Sequence, residues 1–359
     1  MRFKCSLHTT RAGPDHVVSC DQQGTLPQLP LGNVWRDAGD HKQGEDTNRG
    51  ITSPRTHFTF LVYLISPVYP FCSTVTMSGN TENTCERLGR YTLSHQGTFQ
   101  GRHICLAKDD KNKTFTCKRR TGAELNHIRR IEVAMGKRAS RVLPISNVVN
   151  TGSVLTESYT FQDQIRGSLA DLTSRKGPLP EVVAATIIRQ VLACLGDCHT
   201  SGVIVKNLEL DHFVIANSED EQVFLHDLVD CDLPNIDHKA PITPFSSPEV
   251  ILGSQQTVSS NIWSCGVMLY VLLSQHWPFH GTTKEQLLQS VSSGTYFTHP
   301  CWSRELKNLL QCMLAVEPQR RLAADQLLRH PWFRVCEGVE LSHGADLRAA
   351  SERLGEREK

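Results

Sequence analysis

The sequence lacks several features that would place the protein in a simple class. Its net charge is only +1 over 359 residues, with 38 Lys and Arg against 37 Asp and Glu. This balance argues against binding of nucleic acid or a membrane through overall charge. The 13 cysteines are scattered singly and include no C-x-x-C pair. We therefore expect reduced thiols in an intracellular protein, and neither a disulfide framework nor a metal site.

Long hydrophobic runs are also missing. The longest one, residues 58–72, contains Pro67 and Pro70, and at about 15 residues it is shorter than the roughly 20 that a membrane-spanning helix needs. We expect a buried strand or a hydrophobic stretch in a poorly ordered leader. The first 16 residues have no apolar centre of the kind that a secretory signal carries. The sequence thus predicts no membrane partner.

The length fits one domain of about 250 to 300 residues with appendages, or two smaller domains. Residues 1–76 show no sustained period of two or 3.6, and we expect them to be mostly disordered. Met77 begins a segment that resembles a natural translation start, so residues 1–76 are predicted to be either an alternative extension or an artefact of the gene model. The main domain is placed at residues 77–335 and a charged tail at 336–359.

Strand signals begin near residue 88. Residues 89–120 predict three short strands, with the polar turn DDKNK between the last two. A helix is predicted at residues 126–137, and β-branched residues at 143–161 predict further strands. A long helix follows at residues 179–200, where apolar residues recur at helical spacing. This order predicts a small strand-rich part at about 88–160 and a larger helical part at about 161–335.

The segment GVIVKNLELDHFVIA, residues 202–216, consists of an apolar strand, a short polar turn and a second apolar strand. It resembles the catalytic loop of protein kinases, H-R-D-L-x-x-x-N. Alignment on the shared leucine places Asn207 at the catalytic Asp, Glu209 at a Lys that assists the transferring phosphate, and His212 at the metal-binding Asn. The resemblance therefore implies a retained loop without its catalytic groups.

Three motifs downstream resemble structural motifs of the large kinase lobe. SPE at residues 247–249 is similar to A-P-E, and NIWSCG at residues 261–266, with Trp263 and Gly266, is similar to D-x-W-S-x-G. EPQRR follows at residues 317–321. In kinases the arginine of this last motif pairs with the A-P-E glutamate. The resemblance thus implies an ion pair between Glu249 and Arg321.

The glycine-rich loop of kinases, G-x-G-x-x-G, is poorly preserved. Alignment on residues 97–99 keeps only the middle glycine, Gly97, while His95 and Gln100 take the outer places. Backbone N–H groups then approach a triphosphate less freely. The alternative is that Gly97 is an ordinary hairpin residue.

Two further positions are candidates for nucleotide binding. Lys118, at the end of the strand predicted at residues 114–118, is similar to the lysine of V-A-I-K; the alternative is an edge-strand lysine facing solvent. Its usual partner is a glutamate of the next helix, for which Glu132 is the candidate. Asp227 occupies the place of the metal-binding D-F-G aspartate, although Val229 replaces the glycine.

Within the kinases the chain resembles the Tribbles pseudokinases, over about residues 88–335. The loop at 202–216 and the stretch at 258–296 carry this resemblance. LLRHPWF at residues 327–333 is similar to a segment with which the family contacts MAP-kinase kinases. The resemblance implies partner-binding candidates at His330, Pro331, Trp332 and Phe333, and an α+β, bilobal protein-kinase-like fold.

The resemblance further implies a signalling scaffold and no physiological kinase. Tribbles proteins bind MAP-kinase kinases and recruit a constitutive-photomorphogenic-type E3 ubiquitin ligase to C/EBP transcription factors. The ligase binds a D-Q-x-V-P-type tail peptide, which residues 335–359 do not contain. We expect residence in the nucleus or cytoplasm, no required cofactor and weak ATP binding at most. The alternative function is an atypical Ser/Thr kinase with weak or nucleotide-gated phosphotransfer.

Each of two charged segments allows two interpretations. The predicted helix at residues 126–137 and the residues that follow it are basic, with Arg129, Arg130, Lys137 and Arg138. Such a run is either a solvated face or a docking surface for an acidic partner segment. The tail at residues 336–359 predicts a charged helix that is either solvated or docked on the kinase-like domain.

Overall fold

A computed structural model describes residues 86–99, 102–150, 157–216, 222–233 and 241–336. The predictions for residues 1–76 and for the tail beyond residue 336 lie outside the described residues, and the domain boundaries stay predictions. All elements below belong to one of the two compact units into which the chain divides. Of the other unit, the structure describes only residues 299–301.

The small lobe is built on one antiparallel sheet with the strand order β1-β2-β3-β4-β6-β5. Its strands are β1 (Glu86–Leu88), β2 (Tyr91–Phe99), β3 (Arg102–Lys108), β4 (Thr114–Thr121), β5 (Ile145–Asn150) and β6 (Glu157–Asp163). The three strands predicted at residues 89–120 are confirmed as β2, β3 and β4. In the turn between β3 and β4, the carboxylate of Asp109 accepts hydrogen bonds from the backbone N–H groups of Lys111 and Lys113, each at 2.9 Å.

The side-chain alternation of β4 puts apolar residues on one face of the sheet and cations on the other. On the apolar face, Tyr91 stacks on Phe161 at 3.8 Å between ring centroids and contacts Phe115 edge-on at 5.5 Å. The opposite face carries Lys118 and Arg120, each only 2% exposed. Strand β4 therefore brings two positive charges into the interior.

Helix α1 (Gly122–Met135) follows β4 directly and continues as a 3₁₀ helix, Gly136–Arg141. It begins four residues before the predicted start at residue 126. The reason is a capping box, in which Glu124 N–H donates to the Thr121 hydroxyl and Thr121 N–H donates to the Glu124 carboxylate. Its buried side includes Ile128 and Ile131.

The large lobe combines helices with two small sheets. Strand β7 (Ile165–Ser168) pairs with β9 (Phe213–Ala216), which pairs with β10 (Val223–Leu225), while β8 (Ile204–Val205) pairs with β11 (Cys231–Asp232). The helices are α2 (Leu169–Lys176), α3 (Glu181–Thr200), α4 (Pro248–Ile251), α5 (Val258–Ser274), α6 (Lys284–Ser293), α7 (Arg304–Met313) and α8 (Ala324–Leu327). The predicted α+β, bilobal kinase-like fold is confirmed.

Helices α3 and α5 form the centre of the large lobe. Helix α3 confirms the helix predicted at residues 179–200; it has the length and hydropathy of a membrane span, yet 61% of its most apolar window is buried in the protein. It contacts α5, β10 and α8. On α5, a Cβ atom at Gly266 would lie 2.9 Å from Met313 and from Leu314. Only glycine therefore allows α5 to pack this closely on the end of α7.

The predicted ion pair between Glu249 and Arg321 is present. Two guanidinium nitrogens bond the two carboxylate oxygens at 2.7 and 2.8 Å. The remaining donors of Arg321 bond the carbonyls of Ala315, Ser259 and Val316 at 2.8 to 3.1 Å, so that all five N–H groups are used. The guanidinium also lies 4.9 Å from the ring centroid of buried Trp263. Arg321 thus joins α4, α5 and the segment after α7.

Replacement of Arg321 tests this role. We expect Arg321→Ala to lower the free energy of unfolding by about 3–5 kcal/mol, because it leaves a partly buried carboxylate and three carbonyls without their donor. The neighbouring Arg320→Ala is the matched control. Arg320 is exposed and lies 3.5 Å from Glu317, so its loss should cost less than about 1 kcal/mol. Urea denaturation measures both, and equal losses would contradict the assignment.

Candidate functional site: the kinase-like cleft

The start of the loop at residues 202–216 is held by backbone pairing and by the amide side chain of Asn261. Val205 pairs with Cys231 between β8 and β11. The amide of Asn261, which stands where kinases carry the D-x-W aspartate, accepts from Val205 N–H at 3.1 Å and donates to the Val205 carbonyl at 2.6 Å. An aspartate could make only the first of these bonds. The asparagine therefore suits this loop.

Asn207, at the place of the catalytic aspartate, is engaged by a neighbouring side chain. Its φ angle is 46°, in the left-handed region that asparagine tolerates. Its backbone N–H donates to Gln256 Oε1 and its side-chain Oδ1 accepts from Gln256 Nε2, both at 3.0 Å. The amide has a structural partner and carries no group that titrates as a general base.

Glu209 and His212 close the turn between the strands. The Glu209 N–H donates to His212 Nδ1 at 3.2 Å. Burial and the nearby Asp211 raise the pKa of Glu209 to about 8, and a hydrogen bond with Thr243 only partly opposes this. The carboxyl is therefore mostly neutral at pH 7. At neutral pH Glu209 therefore carries little negative charge at this position.

Lys118 and Asp227 lie together in the cleft, where they were predicted. Lys118 Nζ is 3.0 Å from Asp227 Oδ2. The alternative of a solvent-facing edge lysine is excluded, because β4 lies between β3 and β6 and the side chain is buried. The other oxygen, Asp227 Oδ1, accepts from the N–H of Val229 at 3.2 Å. Both oxygens of the carboxylate are thus engaged by the protein.

Arg120 is a third member of this cluster that the sequence interpretation missed. Its Nη2 donates to the same Asp227 Oδ2 that bonds Lys118. Burial alone would raise the pKa of Asp227, but the charges of Lys118 and Arg120 outweigh it and hold the pKa well below its usual range. Burial and Lys118 lower the pKa of His226, which stays neutral. A signal was present, since Arg120 follows Lys118 at the strand period of two.

Magnesium fits these residues poorly. The ion prefers oxygen ligands in octahedral geometry, whereas His212 offers nitrogen and Asp227 already bonds two cations. Gly97 lies in β2 opposite Ile104 of β3, so the glycine-loop position is part of the hairpin. Among the candidate residues, the carboxylate at the metal-binding position is thus already bonded by two cations of the protein.

The predicted pairing of Lys118 with Glu132 is wrong. Glu132 is exposed, and its charged neighbour is Arg129. The helical phase explains this, because Ile128, Ile131 and Met135 occupy the inner side of α1. A bond from His127 ties α1 to the large lobe instead, with Nε2 at 2.7 Å from the Cys231 carbonyl.

The partner-binding prediction for residues 330–333 also needs correction. Trp332 and Phe333 are at most 1% exposed, and His330 is 8% exposed. The Trp332 indole N–H donates to Glu181 at 2.9 Å, and Arg189 lies 4.9 Å from the Phe333 ring centroid. These side chains fasten the C-terminal segment to α3. Only Pro331 of the four is exposed.

Comparisons with known proteins agree with the fold. The model of the protein kinase domain matches residues 97–333. Human Tribbles homolog 3 is 30% identical over 268 residues, which are 70% of this chain and 71% of that protein. Bovine Tribbles homolog 3 is 33% identical over 186 residues (49% of this chain, 51% of that protein). Human Tribbles homolog 1 is 28% identical over 198 residues (52% and 53%). The match therefore spans about half the length of these last two relatives.

The protein has a small lobe built on a sheet and a helical large lobe, and it carries different residues at the catalytic positions of kinases. These features define a kinase-domain protein with altered catalytic positions. Within that class, the chain belongs to the Tribbles family.

The raised pKa of Glu209 gives a pH test. The pKa of Glu209 is 4.5 in the unfolded chain and about 8 in the folded protein. Between pH 4.5 and pH 8, the folded state therefore keeps a proton that the unfolded state loses, and the free energy of unfolding falls as pH rises. Glu209→Gln removes this linkage. We expect it to match the wild type near pH 5 and to exceed it in melting temperature near pH 8.5.

The control is Glu317→Gln, at an exposed glutamate of the large lobe. It should run parallel to the wild type across the same pH range. If Glu209→Gln also ran parallel to the wild type, the raised pKa would be refuted.

Proposed function

We propose that this chain is a signalling scaffold that transfers no phosphate at a physiological rate. The observation that carries the proposal is the Asp227 carboxylate, which bonds Lys118, Arg120 and the Val229 N–H. In kinases this aspartate holds magnesium, which neutralises the developing charge during transfer. A second positive side chain at this carboxylate competes with the metal for the same oxygen.

The loss of the base acts in the same direction. Asn207 cannot accept a proton at neutral pH, and a positioned general base is worth roughly 10²- to 10⁴-fold in rate. Phosphoryl transfer otherwise depends on positioning and charge neutralisation. The base and the metal site are therefore impaired together, while Glu249, Arg321 and Gly266 still support the large lobe.

The finer function that we propose is that of an adaptor in the nucleus or cytoplasm that binds MAP-kinase kinases and an E3 ubiquitin ligase with its transcription-factor substrates. Family membership supports it. Because Trp332 and Phe333 are buried, we expect the binding surface to lie outside residues 330–333. The nine cysteines among the described residues are free thiols, as suits a reducing compartment.

A second candidate is an atypical kinase or nucleotide-gated protein. The observation that favours it is the charge of the buried cluster, in which two cations face one carboxylate. This excess of positive charge suits an anion such as a nucleotide phosphate without a metal. Weak ATP binding is thus compatible with the scaffold proposal, whereas phosphate transfer is not.

The two candidates differ in their response to ATP and magnesium. A ligand at 100 times its dissociation constant stabilises a protein by about 2.7 kcal/mol. We expect a small thermal shift or none with ATP, no increase when magnesium is added, and no radiolabel transfer to the chain itself or to a generic substrate. A magnesium-dependent shift together with label transfer would refute the scaffold proposal.

Asn207→Asp tests whether the missing base is the sole defect. The variant keeps the acceptor for Gln256 Nε2, so the loop should stay in place. We expect no gain of phosphotransfer, because Asp227 remains bonded to Lys118 and Arg120. An active kinase assayed in parallel sets the detection limit. Recovery of activity by Asn207→Asp would show that Asp227 can still bind the metal.

Direct binding tests the finer function. Purified full chain on a resin should retain purified MAP-kinase kinase, and in a second arm the ligase, above a resin blank. An Arg321→Ala chain, in which we expect the large lobe to be destabilised, is the control for folded-state binding. No retention of either partner by the wild type would remove the adaptor role and leave the fold assignment intact.

A further inference from the structure

Helix α1 and its 3₁₀ extension present an outward surface that the proposed function has not used. We name it the basic face and define it as Arg129, Arg130, Val133, Lys137 and Arg138, all of which are exposed. We propose that the basic face is a docking surface for an acidic protein segment that carries an apolar side chain.

The first observation is unbalanced charge. Among the residues that the structure describes, none of the four cations of the basic face has a carboxylate within ion-pair distance. Glu132, the exposed acidic neighbour of Arg129 on α1, offsets one of the four positive charges. Other surface cations do have such partners, for example Arg87 with Asp110 and Lys113 with Asp163. The local charge is positive although the whole chain carries only +1. Positive potential is thus concentrated at α1.

The second observation is that an apolar side chain lies among these cations. Val133 is 82% exposed, the highest value among the exposed large hydrophobic residues of the described chain. Positions three or four apart are neighbours on a helix surface. Arg129 and Arg130 therefore precede Val133 by about one turn of α1, while Lys137 and Arg138 belong to the 3₁₀ helix that follows Met135. A face made only for solubility has no need of a β-branched apolar residue at its centre.

The third observation is that the basic face is fixed from behind. The inner side of α1 is buried through Leu125, Ile128, Ile131 and Met135. His127 adds a bond to the Cys231 carbonyl and lies 3.7 Å from Asp232, which also pairs with Lys206 at 3.0 Å. A rigid face loses little conformational entropy on binding, which favours affinity.

These observations favour an acidic protein segment over other polyanions. The patch is short, and the chain as a whole carries little net charge, whereas nucleic-acid binding relies on many phosphate contacts. A single valine among cations gives little apolar area for insertion into a membrane. Acidic side chains with one or two apolar residues at helical spacing match both features of the face.

The inference rests on the proposed scaffold role for its biological meaning, but its test does not involve the nucleotide site. The probe is a fluorescein-labelled, glutamate-rich peptide with two leucines four positions apart, and the reference peptide has serine in their place. Fluorescence anisotropy with the full chain measures affinity. Binding of the peptide can therefore fail while the scaffold proposal stands, and the peptide can bind even if the scaffold proposal is refuted.

The variants separate local from overall charge. Arg129→Glu/Lys137→Glu should weaken binding of the leucine peptide by at least about tenfold. The matched control, Lys284→Glu/Arg304→Glu, makes the same charge change at exposed large-lobe cations and should change affinity by less than about twofold. Val133→Ser keeps all charges and should weaken the leucine peptide about threefold but not the serine peptide.

Three results would overturn the proposal. The first is no binding of the leucine peptide to the wild type. The second is an equal loss in both charge-reversed pairs, which would indicate overall charge alone. The third is tighter binding of single-stranded RNA, or of vesicles that contain phosphatidylserine, through the same residues. Val133→Ser keeps the test decisive if the charge-reversed chain does not fold, because Val133 is exposed and contributes little to the core.

Discussion

Asp227 is a carboxylate that is only 7% exposed, and an ionised group so deeply buried needs opposite charge beside it. In a kinase, a metal ion supplies much of that charge. Here Lys118 and Arg120 supply it from one strand, since their spacing of two puts both on the inner face of β4. The Asp227 carboxylate is thereby neutralised by side chains of the protein itself.

The sequence predicted well the elements whose residue pattern is compatible with only one type of secondary structure. The hairpins of β2 to β4 follow from alternation and a polar turn, and α3 follows from its apolar period. The pairing of Glu249 with Arg321 was expected from the resemblance to kinases, in which these two motif positions pair. The arrangement of Asn207 with Gln256 could not be expected, because it joins two loops that no local pattern relates.

The wrong predictions share one cause, since a motif gives the type of a residue but not the direction of its side chain. Glu132 matched the expected distance along the chain, but the helical phase turns it outward. Trp332 and Phe333 matched a partner-contact segment, yet large aromatic side chains bury the most apolar area in a core, and both point into α3 contacts. Arg120 was missed for the opposite reason, because no kinase motif includes it although the strand period does.

The position of α1 connects the cleft with the proposed docking surface. In active kinases, the lysine of the small-lobe strand pairs with a glutamate of this helix, so helix position and nucleotide site depend on each other. In this chain Lys118 bonds Asp227 instead, and α1 is held by the bond from His127 to the Cys231 carbonyl. That bond is made to the strand that pairs with the start of the catalytic loop. The loop at residues 202–216 therefore supports the position of α1 through β11.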